Sequence, residues 1–500
     1  MQDVIAAVDL GSNSFRLQVG RIVNDQIYAF DGLKEPVRLA AGLSADKWLD
    51  ADAQARGIIA LRQFHERLAE FAPAAVRAVA TNTLRVAKNA ASFLLKGEEA
   101  LGFPIEVIAG REEARLIYVG VAHTLPDPHR QHLIVDIGGG STEFIIGKNF
   151  EPVLLDSLYM GCVGYSLRYF PGGKIDKRGF REAELAARRE LQTIVHDYRE
   201  AGWEVAVGSS GTAKALAEIL EESGLAAGGI TRDGLERLRT VFLRAGNVEA
   251  VDLPGLRGDR LPVIPGGLAI MYAVFNEFGL ERMEFSEGAL RLGVLYDLLG
   301  RYHHRDLRDA TVDAFMARHR VNARHARQVA DTACNLLAQL DSAAAEAENV
   351  DRRFLCWAAL LHEIGISVAH ASYHKHSAYI LANADMPGFS RMDQERLARI
   401  VLAHRGKLER LSGFESMGAD WSLIACLRLA VVIHRARDNR GVPEIVLTRT
   451  KRGFLVETPP GWLHKLPLTA AAFEEERQQW QSVDRMLTVR ARAAASGAPC

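Results

Sequence analysis

The chain writes one short pattern twice, as VDLGSNSFRL at Val8–Leu17 and as VDIGGGSTEF at Val135–Phe144. Each time an apolar run ends in Asp, a turn of small residues follows, and apolar residues resume. That order reads as strand, tight turn and antiparallel strand. Such a turn gathers several backbone N–H groups around one point, and small side chains let an anion reach them. Ser12, Asn13 and Ser14 in the first copy are candidate phosphate ligands, as are Gly138, Gly139, Gly140, Ser141 and Thr142 in the second. One copy alone reads first as a plain β-hairpin. Two copies, at the head of two similar halves, read as two walls of one phosphate cleft.

The halves are alike in order. In the first, IAAVDLG is a buried strand and FRLQVGRIV its hairpin partner. A helix follows over Ala51–Phe71, with Ile58, Leu61, Phe64 and Leu68 at helical spacing. AVRAVAT and PIEVIAG are further strands, and REEARLIYVGVAH opens a helix. In the second, HLIVDIGGGSTEFIIG repeats the hairpin, EPVLLDSLYMG is a strand, FREAELAARRELQTIVHDY a helix, and EVAVGSSGTAKALAEIL a strand, turn and helix. In that last turn Gly208, Ser210, Gly211 and Thr212 form a third small-residue stretch before a helix, a common anion seat. Mixed strand and helix order of this kind is α/β. Beyond residue 300 the strand signals fade into helical periodicity from about 305 to 440. EIVLTRT and GFLVETP then read as strands, LTAAAFEEERQQWQSV as a closing helix, and ARAAASGAPC as a loose end.

With 500 residues the chain suits roughly three domains, and 48% hydrophobic with 25% charged residues is ordinary globular composition. No apolar run reaches the roughly 20 residues of a membrane helix. The N-terminus carries an acid and no basic region, so no secretory signal is expected. Cys162, Cys334, Cys356, Cys426 and Cys500 are scattered, odd in number and never in CxxC spacing, which argues for a reducing cytoplasm and against both a disulfide framework and a thiolate metal site. The net charge of −1 hides an asymmetry. From Arg301 onward 28 Lys and Arg stand against 22 Asp and Glu, a balance of +6, and the preceding residues hold 33 against 40, a balance of −7. Either this is drift between domains, or the C-terminal part offers a basic surface to an anionic partner. The histidines are skewed the same way, 11 of 16 lying after residue 300.

The doubled turn resembles that of the actin, sugar kinase and heat-shock chaperone ATPase superfamily. Within it, VDLGSNSFRL, TNTLR, REEARLIYVGV, VDIGGGSTEF, MGCV, GSSGTAKAL and EGALRLGVLYDL are similar, in this order, to motifs of the exopolyphosphatase and guanosine pentaphosphate phosphohydrolase family. WAALLHEIGI with HKHSAYIL resembles the helical extension of its long bacterial members, itself similar to the HD phosphohydrolase fold. The resemblance implies two tandem ribonuclease H-like (actin-like) α/β domains at 1–125 and 126–303, an all-helical HD-like domain at 304–440, and a small mixed α/β domain at 441–500. It implies a cytoplasmic, homodimeric phosphoanhydride hydrolase with Mg²⁺ as cofactor, K⁺ as a monovalent activator, and no specific nucleic-acid partner. Asn149–Gly173 resembles the exopolyphosphatase branch more than the other, so processive hydrolysis of terminal phosphate from inorganic polyphosphate is the first expectation. Hydrolysis of guanosine pentaphosphate is the alternative. A sugar- or acetate-type kinase on the same fold is a remoter one, and a chaperone would need a strand-rich peptide-binding domain that the sequence does not offer.

Cleaving a terminal phosphate with water calls for a base, a cation and donors to the phosphate oxygens. Glu112 and Glu113 open a helix after a strand, and either both complement its positive N-terminus or one points into the cleft. The family's catalytic Glu matches Glu113. Asp136 and Glu143 flank the second turn as hard oxygen ligands suited to Mg²⁺, and the resemblance implies that role for both. Asp9 matches Asp136, whereas Phe15 or Arg16 stands where the second copy has Glu143, so the metal site is expected to lean toward the second half. Arg85 could brace phosphate oxygens bidentately, or be an exposed helix residue. Gly266 and Gly267 either face a ligand or allow close helix packing. In the C-terminal half His325, His362–Glu363 and His404 follow the order of an HD metal site. Yet Glu363 replaces its central Asp, and His434, with Asp438 one turn later, stands where its final Asp is expected. These departures favour a scaffold that binds a polyanion with His and Arg; His370, His374 and His376 either line such a path or are plain surface histidines.

Overall fold

A computed structural model describes residues 4–23, 26–302, 306–347, 349–411, 420–437 and 443–492. The chain divides into two compact units, Met1–Asp306 and Leu307–Cys500.

The first unit holds two sheets built to one plan. Strands β1 (Val4–Leu10), β2 (Phe15–Val23), β3 (Gln26–Glu35), β4 (Val76–Ala80) and β5 (Ile105–Val107) lie in the order β3-β2-β1-β4-β5. The first three form an antiparallel meander, and β4 and β5 continue parallel to β1. Strands β6 (His132–Ile137), β7 (Thr142–Lys148), β8 (Glu151–Leu158), β9 (Val205–Ser209) and β11 (Arg282–Phe285) repeat this arrangement, with β10 (Ile230–Thr231) added at the edge. The sequence duplication is therefore a duplication of topology. β3 was not legible as a strand because its side chains are mostly exposed, so no apolar alternation marks it.

β1 is buried on both faces, which is why its sequence is an unbroken apolar run. Ala6, Val8 and Leu10 face a core shared with the helices Ala51–Leu68 and Ala90–Leu101. Ile5 and Ala7 face a second core that also takes Ile134, Ile145 and Val207 from the other sheet and joins the two halves. The helices Gly110–Ala122 and Leu290–Tyr302 fill this joint. They cross so closely that a Cβ on Gly293 would lie 1.7 Å from the Leu116 carbonyl oxygen. A third core packs the far face of the second sheet under the helices Lys177–Leu191, Ser210–Glu222 and Ile264–Phe278. The helix expected through Tyr198 stops at Leu191 and restarts at Val195. At the break the Thr193 hydroxyl donates to the Glu190 carbonyl at 2.7 Å, a local bond that competes with the helix ladder.

The second unit is helical, with the helices Leu307–Arg318, Ala323–Leu340, Val350–Leu361, Tyr373–Asn383, Arg391–Ala403 and Asp420–Ile433. After them β12 (Val446–Thr450), β13 (Gly453–Thr458) and β14 (Met486–Ala491) form a small sheet, and the helix Pro467–Gln481 connects β13 to β14. These late elements share one hydrophobic core with the helices. Buried Trp480 packs against Phe454 and Trp421, and buried Arg428 pairs with Glu476 at 2.6 Å. Of the loose end expected at residues 491–500, Ala491 closes β14 and residues 493–500, Cys500 included, lie outside the described residues. No helix among the described residues is long and apolar enough to cross a membrane.

Candidate functional site

The two small-residue turns face one another. A Cβ on Gly139 would lie 3.0 Å from Ser12 Cβ, and one on Gly140 would lie 2.6 Å from Asn82 Oδ1 and 3.0 Å from Ser12 Oγ, so only glycine fits this approach. The outer carbonyls of both turns are engaged. Arg38 and Ala40 donate backbone N–H groups to Asn13 and Ser12, and Cys162 and Val163, opening the helix Cys162–Tyr169, donate to Gly138 and Gly139. Among the described residues, the N–H groups of Ser12, Asn13, Gly139 and Gly140 have no protein acceptor. All four residues line a cavity of about 280 Å³ between the turns.

Most of the sequence candidates line that cavity: Ser12, Asn13, Ser14, Glu113, Asp136, Gly138, Gly139, Gly140, Ser141, Glu143, Ser210, Gly211 and Thr212, with Asp9 beside them. Three do not. Thr142 is fully buried and its hydroxyl donates to the Met160 carbonyl at 2.5 Å. Gly208 lies within β9, where a Cβ would meet Ala213 at 2.8 Å; it is a packing residue below the turn. Arg85 sits under Glu113, with Nη1 donating to the Glu113 carboxylate at 3.0 Å and to the Ile108 carbonyl at 2.9 Å, so it braces the carboxylate rather than the cavity. Thr212 reaches the cavity but spends its hydroxyl proton on the Ile137 carbonyl, at 2.9 Å. Gly266 is a packing glycine, since a Cβ there would lie 2.5 Å from the Cys162 carbonyl oxygen. Ser210 holds a left-handed φ of 69°, an unusual conformation for a residue with a side chain, at the point where its helix opens onto the cavity.

Four carboxylates are buried together here. Burial pushes Asp9 up, against the pull of Arg291 and Arg16. It pushes Glu113 to about 7 even with Arg85 beside it, Asp9 and Asp136 adding to the rise. Asp136 rises to about 6, burial outweighing hydrogen bonds from Ser210 and Ser209. Glu143 rises well above the usual carboxylate range through burial and the charges of Glu113 and Asp136, although the Ser157 hydroxyl donates to it at 2.8 Å. Among the described residues, Asp9 Oδ1 is buried with no hydrogen-bond partner. Such a set asks for positive charge. Asp136 and Glu143 are opposite each other in the β6–β7 ladder, and Mg²⁺ tends to take one or two carboxylates with water and substrate oxygens. The donor set fits that ion.

The equivalent ladder position in the first half pairs Asp9 with Arg16, which decides between Phe15 and Arg16. The two walls therefore differ in charge, Glu143 on one and Arg16 on the other. Arg16 is pushed down to about 10 by burial and by the nearby cations Arg291 and Arg260. Arg257, Arg260, Arg291, Lys34 and Lys214 complete a cationic lining. Sequence reasoning did not single these out. Arg291 lies inside the motif EGALRLG, which could have flagged it, but Arg257 and Arg260 sit in a loop with no local signal.

The helix that carries Glu113 is tied down by a second, mostly buried network. Arg77 pairs with Glu106 at 3.0 Å and with Asp297 at 2.7 Å, and Arg115 pairs with Asp297 at 2.5 Å and with Glu112 at 2.8 Å. Glu112 is thus a structural anchor of the helix whose next residue faces the cavity.

In the helical unit His325, His362 and Glu363 come together. His434 instead shares a hydrogen bond with Thr332, and Asp438 lies outside the described residues. His370 is exposed, His376 half-buried and His374 buried.

A family model described as the Ppx/GppA phosphatase family matches residues 18–302, and one described as Ppx/GppA phosphatase, domain III, matches residues 307–477. The chain is 38% identical over 482 residues to a guanosine-5'-triphosphate,3'-diphosphate pyrophosphatase of Pseudoalteromonas translucida, covering 96% of each chain. It is 38% identical to the protein of the same name from Aeromonas hydrophila, covering 95% of this chain and 96% of that one. The crystal structure of an exopolyphosphatase from Cytophaga hutchinsonii shares the fold, with a TM-score of 0.54 at 24% identity, over 59% of this chain and 97% of that one.

Proposed function

This chain belongs to the Ppx/GppA phosphatase family and is a phosphoanhydride hydrolase, and from that premise we propose that it removes the terminal 5'-phosphate of guanosine pentaphosphate. The observation that carries this reading is the 38% identity, over 96% of both chains, to a relative named for that activity. It supports the opposite order of substrates from the one suggested by Asn149–Gly173, and inorganic polyphosphate becomes the second substrate. Both are polyanions that end in a phosphoanhydride, and the cleft offers what such a terminus needs. The reading keeps the cytoplasmic location and the homodimer as part of the proposal.

The terminal phosphoryl group is held by the free N–H groups of Ser12, Asn13, Gly139 and Gly140, and the following phosphates lie toward Arg16, Arg291 and Arg260. Glu113 takes a proton from the attacking water; a base near 7 is well matched to that task at neutral pH. Arg85 keeps the carboxylate aimed and partly ionised. Asp136 and Glu143 are the residues that would hold Mg²⁺, and the ion supplies neutralisation of charge on the phosphate oxygens. The decisive experiment measures phosphate release from guanosine pentaphosphate, long polyphosphate and ATP side by side with Mg²⁺. Guanosine pentaphosphate should show the highest kcat/KM. Turnover of ATP alone, and only with an acceptor, would replace this reading with a kinase.

A further inference from the structure

The helical unit carries a polar cluster that the hydrolytic cleft does not use. His325, His362 and Glu363 are all buried, and one ligand atom from each lies within 4.8 Å of the others. The ring nitrogens are already sorted. His362 Nδ1 lies 2.6 Å from the Ala359 carbonyl, and His404 Nδ1 lies 2.5 Å from the Val401 carbonyl. A carbonyl only accepts, so both rings carry their proton on Nδ1 and present a bare Nε2. A backbone carbonyl holding the far nitrogen is how ligating histidines are usually fixed. Among the described residues, His404 Nε2 and His325 Nδ1 are buried without partners, and the His404 ring lies 5.1 Å from that of His362. A buried, unpartnered polar atom is costly unless something fills it. The positive charge that Glu363 needs comes from Arg437, whose guanidinium pairs with its carboxylate from the exposed surface.

We propose that His325, His362 and Glu363 form a binding site for one divalent transition-metal ion, and that Arg437 closes it by holding Glu363 until an ion displaces the guanidinium. Two imidazoles and one carboxylate suit Zn²⁺, Co²⁺ or Mn²⁺ better than Mg²⁺, which prefers an all-oxygen shell. His404 is the adjacent imidazole available to a fuller shell. The unusual prediction concerns Arg437. A residue that competes with the ion for Glu363 weakens metal binding, so its removal strengthens it.

The test titrates chelator-treated full-length protein with Co²⁺, reading visible ligand-field bands and binding heat. One ion per chain with nitrogen-ligand bands is expected. Arg437→Ala should bind about tenfold more tightly, a typical size for one coupled equilibrium. Glu363→Gln and His362→Gln should lose the bands, and Glu143→Gln, in the cleft, should keep them. The proposal is overturned if neither wild type nor Arg437→Ala binds Co²⁺ stoichiometrically, if the bands survive Glu363→Gln and His362→Gln, or if Arg437→Ala binds more weakly. Should the buried variants fail to fold, the surface substitution Arg437→Ala still decides by the direction of its effect.

Discussion

Arg85 Nη1 lies 3.0 Å from Glu113 Oε2, and both side chains are buried. The pair is lopsided. A guanidinium at hydrogen-bond distance ordinarily lowers a carboxyl pKa, yet Glu113 stands at about 7 because burial outweighs its partner. A carboxylate in that state is aimed by its cation and still basic enough to take a proton.

Glu113→Gln keeps size and one acceptor and removes the base. We expect kcat to fall by about 10²–10⁴-fold, the usual value of general-base assistance, with substrate binding retained or tightened. Steady-state kinetics beside equilibrium binding of guanosine pentaphosphate checks this. Near-wild-type turnover would move the base to another carboxylate, Glu143 first.

Arg85→Gln removes the nearest cation from Glu113 and so raises its pKa further. The acidic limb of the kcat/KM profile, expected near pH 7 in the wild type, should shift to higher pH while the high-pH plateau falls less. A limb that stays in place would show that the titrating group is not Glu113.

Asp9, Glu113, Asp136 and Glu143 all have folded pKa values raised above their unfolded ones. Raised carboxyl groups contribute stability that is present below about pH 4, their unfolded range, and is lost as pH rises through the folded values, here about 6 to 7 for Asp136 and Glu113. The metal-free protein should therefore lose stability from this source between about pH 4 and 7. Mg²⁺ should raise Tm more at pH 7.5 than at pH 5.5. Equal shifts at the two pH values would rule out the cleft acids as its ligands.

Asp297 bonds to both Arg77 and Arg115. Asp297→Ala leaves two buried guanidinium groups short of charge, a loss of about 3–5 kcal/mol by comparison with other broken buried pairs. Tm should drop, and kcat with it, because the helix bearing Glu113 loses its anchor. A stable variant with normal kcat would show that the network is not what positions the base.

Much of the first unit was legible. The apolar run before Asp9 and its copy before Asp136 could only be buried strands, and small residues after each could only be turns, so the duplication announced two similar halves. Asp136 and Glu143 stood out because they flank the second turn, whereas local sequence left Glu112 and Glu113 level and only the family resemblance chose between them. The closing strand β14 and the edge strand β3 were not, since neither carries enough apolar alternation to stand out from a loop.

The sequence by itself determined the repeat, the α/β class of the first unit and the helices of the second, because strand and helix periods are local properties of the chain. Only the tertiary structure decided what the charged residues do. Arg85 braces the Glu113 carboxylate instead of lining the cavity because the helix Gly110–Ala122 sets Glu113 over it. Arg16 faces Asp9 because of ladder register. Arg257 and Arg260 reach the cavity from a loop. Arg437 rests on Glu363 although 74 residues separate them. Such pairings arise from burial and long-range contact, and no local pattern encodes which cation a buried carboxylate will meet.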